Sequence, residues 1–164
     1  YKRQLDNVLT INASHTTPVD SVLIPTGQSA PVEGTPFDFR EPHAIGERIG
    51  ADNQQLHNGG GYDHNWVIDR KTPSGIEQAA TVWEPASGRT IEVLSDQPGL
   101  QVYSGNFFDG TSIGKYGKPQ RYRESLALET QKFPDSPNHD NFPSTVLRPG
   151  ETYTQVCIYK FGVK

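Results

Sequence analysis

Residues 57–68 read HNGGGYDHNWVI: three glycines, then a hydrophobic run that carries an aspartate, a histidine and an asparagine. A β-strand sends successive side chains to opposite faces. Tyr62, His64 and Trp66 are therefore expected on one face, and Asp63 and Asn65 on the other. Glycines just ahead of such a strand let the backbone bend sharply or approach a ligand closely. Two readings follow. The stretch is either a turn and an edge strand with a wet polar face, or a strand that offers Asp63 to a ligand.

Working outward, the other strand candidates are short and separated by turn chemistry. They are NVLTI, SVLI, AATVWE, RTIEVLS, LQVYS, SLALET and YTQVCIYKFGV. Between them lie PTGQ, VEGTP, KTPSG, EPASGR, DQPGL and LRPGE, rich in the residues that turns prefer. EPASGR, between two β-rich runs, reads as a hairpin loop. Only REPHAIGERIG (40–50) resembles a helix, while Lys2 and Arg3 lead straight into an expected strand. FFDGTSIGKYGKPQRYRE and QKFPDSPNHDNFPS are loops long enough to be functional. With no repeat and no linker, the pattern predicts one antiparallel all-β unit over 1–164, a sandwich or barrel, without an internal boundary.

The composition narrows the function classes. Of 164 residues, 33% are apolar, and 16 glycines and 13 prolines make the chain rich in turns. A net charge of −4 without a basic cluster argues against nucleic acid or an anionic membrane as partner. No apolar run is long enough to span a bilayer. Cys157, the one cysteine, lies in an apolar segment and reads as a small core residue. The expected compartment is the cytoplasm, with a periplasmic or secreted location as the alternative.

His57, His64 and His139 are scattered without metal-ligand spacing, so no metal is expected. There is no GxSxG elbow, and GGGYD does not have the context of a phosphate loop. What remains is a set of polar residues in three strand-like segments. Asp63 lies in GGGYDHNWVI, Gln101 and Tyr103 share a face in PGLQVYSGN, and Glu129 follows the apolar LAL. Glu129 is expected to be half-buried, where desolvation raises a carboxylate pKa toward values useful to a general base. Carboxylates and amides suit hydroxyl groups, and tyrosine or tryptophan stacks on the apolar face of a sugar ring. The set points to a carbohydrate binder or a carbohydrate-acting enzyme.

The segments VDSVLIPTGQSAPVEGTPFDFR, GGGYDHNW, SGRTIEVLSDQPGLQVYSGNFFDGT, LALETQKFPDSPNHDNFPS and LRPGETY resemble the aldose 1-epimerase (galactose mutarotase) family, in the family's order and through nearly the whole chain. The resemblance implies a β-sandwich of the supersandwich type. It also implies interconversion of the α and β anomers of aldohexoses such as galactose or glucose, without a cofactor. Glu129 falls on the catalytic base of the LETQ segment, and Asp63 on the aspartate that holds sugar hydroxyls. Gln101 and Tyr103 fall on residues lining the sugar site. The family's acid is a histidine in an NHxYFNL-like segment upstream of this chain, a context that neither His15 nor His43 has. The chain thus resembles the C-terminal half. The expected partner is an N-terminal half of the same enzyme, as a second chain carrying the acid histidine. Half a sandwich leaves sheet faces and edges bare and is not expected to fold alone. The alternatives are a non-catalytic carbohydrate-binding sandwich and a hexose-6-phosphate 1-epimerase relative, whose phosphate would need Arg121 and Arg123.

Overall fold

Two five-stranded antiparallel sheets packed face to face account for most of the regular structure in this computed structural model, which describes residues 4–164. The strands are β1 (Val8–Ile11), β2 (His15–Thr17), β3 (Ala30–Pro31), β4 (His43–Ala44), β5 (Asp63–Val67), β6 (Glu77–Trp83), β7 (Arg89–Ser95), β8 (Gly99–Tyr103), β9 (Ala127–Gln131) and β10 (Cys157–Val163). One sheet has the order β10-β7-β6-β1-β4 and the other β3-β2-β5-β8-β9. The EPASGR hairpin joins β6 to β7 in antiparallel register, Trp83 opposite Thr90. The all-β sandwich expected from the pattern is the fold observed. The strand entry expected at Lys2 and Arg3 lies outside the described residues.

Alternation decides the core. Leu9, Ile11, Val82 and Val93 face inward from the first sheet, and Trp66, Leu100 and Val102 from the second. The aromatic side chains are tied by polar tips as well as by packing. Trp66 Nε1 donates to the Phe37 carbonyl at 3.0 Å, and the Tyr62 hydroxyl donates to the Pro36 carbonyl at 3.0 Å. The segment carrying Phe37 and Phe39 is thereby strapped across the end of β5, with both rings buried.

Several expectations are corrected. The SVLI segment is not a strand: Leu23 takes a left-handed φ of 68°, and the loop closes through a bridge between Val19 and Pro25. REPHAIGERIG supplies β4 and one helical turn, α1 (Ile45–Arg48). A second helix, α2 (Gln54–Gly59), occupies the start of the HNGGG stretch. The signals for it were local: the Asn53 side chain caps the Gln55 N–H at 2.9 Å, and Gly60 ends the helix in the left-handed conformation. β5 is the middle strand of its sheet, so the edge-strand reading does not hold.

The outermost strand β10 shows what burial depends on. Tyr159 and Phe161 lie opposite Val93 and Ile91, and so continue the core-facing row of the first sheet. The second sheet reaches this row only at Tyr159, whose hydroxyl donates to the Leu128 carbonyl of β9. Phe161 is 75% exposed, Val163 79%, and Cys157, expected in the core, is exposed as well.

Candidate active site

The register of the second sheet builds a polar row on the face away from the core. Thr17 on β2 stands opposite Asn65 on β5, Asn65 opposite Gln101 on β8, and Gln101 opposite Glu129 on β9. One row over, Asp63 stands opposite Tyr103. All four residues singled out in the sequence therefore share one face of one sheet. Directly opposed side chains in adjacent strands lie about 5 Å apart, so the row forms a continuous polar strip.

Hydrogen bonds organise the strip. Gln101 Nε2 donates to Asp63 Oδ1 at 2.8 Å, and Gln131 Nε2 reaches Gln101 Oε1 at 3.5 Å. Burial pushes the Asp63 carboxyl pKa up, and the Gln101 amide works against that rise. The Tyr103 hydroxyl accepts the Phe107 main-chain N–H at 2.9 Å, and its ring stacks on Phe107 with centroids 6.0 Å apart and planes 19° from parallel. Glu129 is exposed on the outer strand, not half-buried as the preceding LAL suggested. It follows Leu128 into the sheet but points to the open face, away from the side chains that pack on the core.

Around Asp63 and Gln101 the strip sinks into a hollow of about 110 Å³, whose floor also includes Thr17 and Asn65. Its walls are apolar: Val19, Leu23 and Pro25 from one loop and Pro134 from another. The helix α2 holds the first loop in place. Gln55 accepts the Val19 N–H at 2.7 Å and donates to the Val19 carbonyl at 2.9 Å, and Asn58 donates to the same carbonyl at 3.0 Å. The second loop is tied to the first by Asn141 Nδ2 donating to the Gly27 carbonyl at 2.9 Å.

Asn65 and Thr17 were not among the residues the sequence singled out for the site, although the period-2 spacing from Asp63 already put Asn65 on its face. Asn65 is 1% exposed and donates to Thr17 Oγ1 at 3.4 Å. Its carbonyl lies over Gly99, where any Cβ would collide with it. The three glycines ahead of the strand have a different task from the one expected. Gly60 closes α2, and Gly61, at φ 141°, passes so close to the Asn106 side chain that a Cβ would overlap it.

Behind Asp63, His64 is 1% exposed and lies edge-on to Phe37, with ring centroids 4.7 Å apart. The Asp63 main-chain N–H donates to its Nδ1 at 3.1 Å, which puts the proton of the neutral ring on Nε2. Burial pushes its pKa down from 6.5 to about 4. The unfolded chain takes up this proton near pH 6.5, whereas the folded chain does so only near 4. Stability present at neutral pH is therefore lost as pH falls through that window, by roughly 3 kcal/mol in full. Urea midpoints of the protein carrying this chain should drop from pH 7 to 5, and His64→Gln should flatten that slope. Midpoints level over this range in the unmodified protein would contradict the assignment.

Among the described residues, no three of His, Cys, Asp and Glu gather as a metal site. No helix among them is long and apolar enough to cross a membrane.

Comparison with known proteins bears on the family and the fold. The model of the family described as aldose 1-epimerase matches residues 2–160. Galactose mutarotase from Mus musculus is 45% identical over 158 residues, covering 96% of this chain and 44% of that protein. Aldose 1-epimerase from Escherichia coli K12 is 39% identical over 155 residues, covering 93% of this chain and 44% of that protein. Among solved structures, a GalM/aldose epimerase homologue from C. elegans superposes with a TM-score of 0.86 at 30% identity, covering 98% of this chain and 47% of that one. The chain thus spans less than half the length of the relatives it matches. By fold, by the family match over nearly all of its length and by these identities, the chain belongs to the aldose 1-epimerase family.

Proposed function

We propose that this chain, over 1–164, is the base-bearing C-terminal part of one aldose 1-epimerase sandwich, which interconverts the α and β anomers of aldohexoses such as galactose or glucose. The observation that carries the reading is the cross-strand strip, with Glu129 beside Gln101 and Gln101 hydrogen-bonded to Asp63. Glu129 takes the proton of the anomeric hydroxyl. The bond between C1 and the ring oxygen then breaks, and an acid protonates that oxygen. The aldehyde end rotates, the ring closes on its other face, and the protons return. Glu129 is open to the face on which a sugar would lie, as a proton acceptor must be. The acid is assigned to a histidine of an N-terminal half, held as a second chain. That half would also cover the apolar row of Tyr159, Phe161 and Val163 on β10.

Asp63 and Gln101 hold sugar hydroxyls, and Tyr103 with Phe107 supplies an aromatic flank. The hollow is well below the roughly 300 Å³ at which small-molecule pockets begin, so it takes one end of the sugar while the reacting end lies on the open strip toward Glu129. No cationic side chain lines it, and a carboxylate forms part of its floor. Arg123 is turned to the Gly60 carbonyl, and Arg121 lies 4.0 Å from Glu124. These features favour an unphosphorylated sugar over a hexose 6-phosphate. The exposed thiol of Cys157 goes with a reducing compartment, so we assign the cytoplasm.

Polarimetry of fresh α-D-galactose tests the reading. Mutarotation should accelerate when this chain is combined with the acid-bearing half, but not with this chain alone, and galactose 6-phosphate should not respond. If the combination binds galactose while rotation relaxes at the buffer rate, the reading fails and the non-catalytic carbohydrate-binding alternative replaces it.

A further inference from the structure

We infer that Tyr159 and Gln155 are positioning residues for the base, because they cap the two main-chain carbonyls that flank Glu129. The inference rests on the proposed role of Glu129. β9 is the outer strand of its sheet, paired with β8 on one side only. In an antiparallel pair, alternate residues turn their N–H and C=O groups away from the partner strand. On β9 the Leu128 and Thr130 carbonyls are turned away, and each is met by a side chain. The Tyr159 hydroxyl donates to the Leu128 carbonyl at 2.5 Å, and Gln155 Nε2 donates to the Thr130 carbonyl at 2.7 Å. The donors therefore lie on either side of the residue that carries the proposed chemistry.

Both donors are rooted in the opposite sheet. Tyr159 is paired with Val93 through β10. Beside Gln155, Val156 donates its N–H to Asp96 Oδ1 at 3.1 Å, and its carbonyl accepts the Ser95 hydroxyl at 2.8 Å. The C-terminal segment thus crosses from one sheet to the other and staples the edge that bears Glu129. Burial, then Cys157 and Glu129, push the Tyr159 pKa up to about 12, so its hydroxyl keeps the proton it donates. An edge strand held on one side only can shift along its free side. A general base must stay within about 0.5 Å of its working position. The two caps supply the missing lateral restraint.

The test uses Tyr159→Phe and Gln155→Leu, singly and together, in the protein that contains this chain and the acid-bearing half. With α-D-galactose, kcat should fall about tenfold for each, since displacement by an ångström costs more than that. KM should stay within about twofold, because the hydroxyl-binding groups are untouched. The solvent deuterium isotope effect on kcat should rise, as proton transfer becomes slower relative to the other steps. Mere loss of folded protein scales kcat and leaves the isotope effect unchanged; that result, or wild-type kinetics, overturns the inference. Tyr159→Phe is nearly isosteric and keeps the test decisive if Gln155→Leu does not fold. Glu129→Gln in the same background separates the two claims. If it keeps full kcat, the base assignment fails and the positioning role falls with it. If it is inactive while both cap variants behave as wild type, only the positioning role fails.

Discussion

Glu129→Gln, made in the protein that carries this chain and its acid-bearing half, is expected to lower kcat by about 10²–10⁴-fold, the range assigned to a lost general base. Glutamine has nearly the same shape, and its carbonyl still accepts a hydrogen bond, but it cannot hold a proton taken from the anomeric hydroxyl. Affinity for galactose should change little, because Asp63 and Gln101 remain hydrogen-bonded at 2.8 Å beside it. Polarimetry gives kcat, and a galactose titration gives binding. A variant that binds and turns over normally would remove Glu129 from the reaction. One that neither binds nor turns over would make it a ligand-holding group, and the base would have to be sought elsewhere on the strip.

The second large effect is on stability. Trp66→Ala should cost about 3–5 kcal/mol, the range for emptying a large aromatic site in a core. The Trp66 side chain is 0% exposed and meets Phe37, Phe39 and Tyr62 at centroid distances of 5.6, 6.1 and 6.1 Å. Truncation also bares the Phe37 carbonyl that its Nε1 satisfies, which adds about 1 kcal/mol or more. That segment straps the end of β5, so the strand presenting Asp63 should loosen as well. Urea denaturation reads the loss as a lower midpoint. Trp66→Phe should recover much of the packing but not the hydrogen bond. A drop of under about 1 kcal/mol for the alanine variant would mean that the site collapses around the gap.

Much of the site's placement was already legible from local pattern. The alternation of Tyr62, Asp63, His64, Asn65 and Trp66 assigned each side chain to its face, and the structure keeps those faces: His64 and Trp66 are core, Asp63 and Asn65 line the hollow. A strand has only two faces, so five consecutive residues are enough to sort them. The EPASGR hairpin was legible for the same reason, because turn chemistry acts over a few bonds. The helix α2 was legible too, in its Asn53 cap and Gly60 stop, but the glycine run was read toward the strand that follows instead of the helix that precedes.

Exposure could not be read this way. Glu129 and Cys157 each follow or sit within apolar runs, yet both are exposed. Whether a strand face is buried depends on what lies across from it, and that partner is set by sheets whose strands are distant in sequence. The row of Cys157, Tyr159 and Phe161 has the right period for a core, but the second sheet meets it only at the Tyr159 hydroxyl and leaves the rest bare. SVLI has the apolar content of a strand and becomes the wall of a hollow, because α2 holds Val19 by both its N–H and its carbonyl. The sequence by itself determined the two-residue period, the turns and the residue types able to handle a sugar. The tertiary structure alone decided that Thr17, Asn65, Gln101 and Glu129 form one row, since cross-strand register is a relation between segments that no local pattern contains.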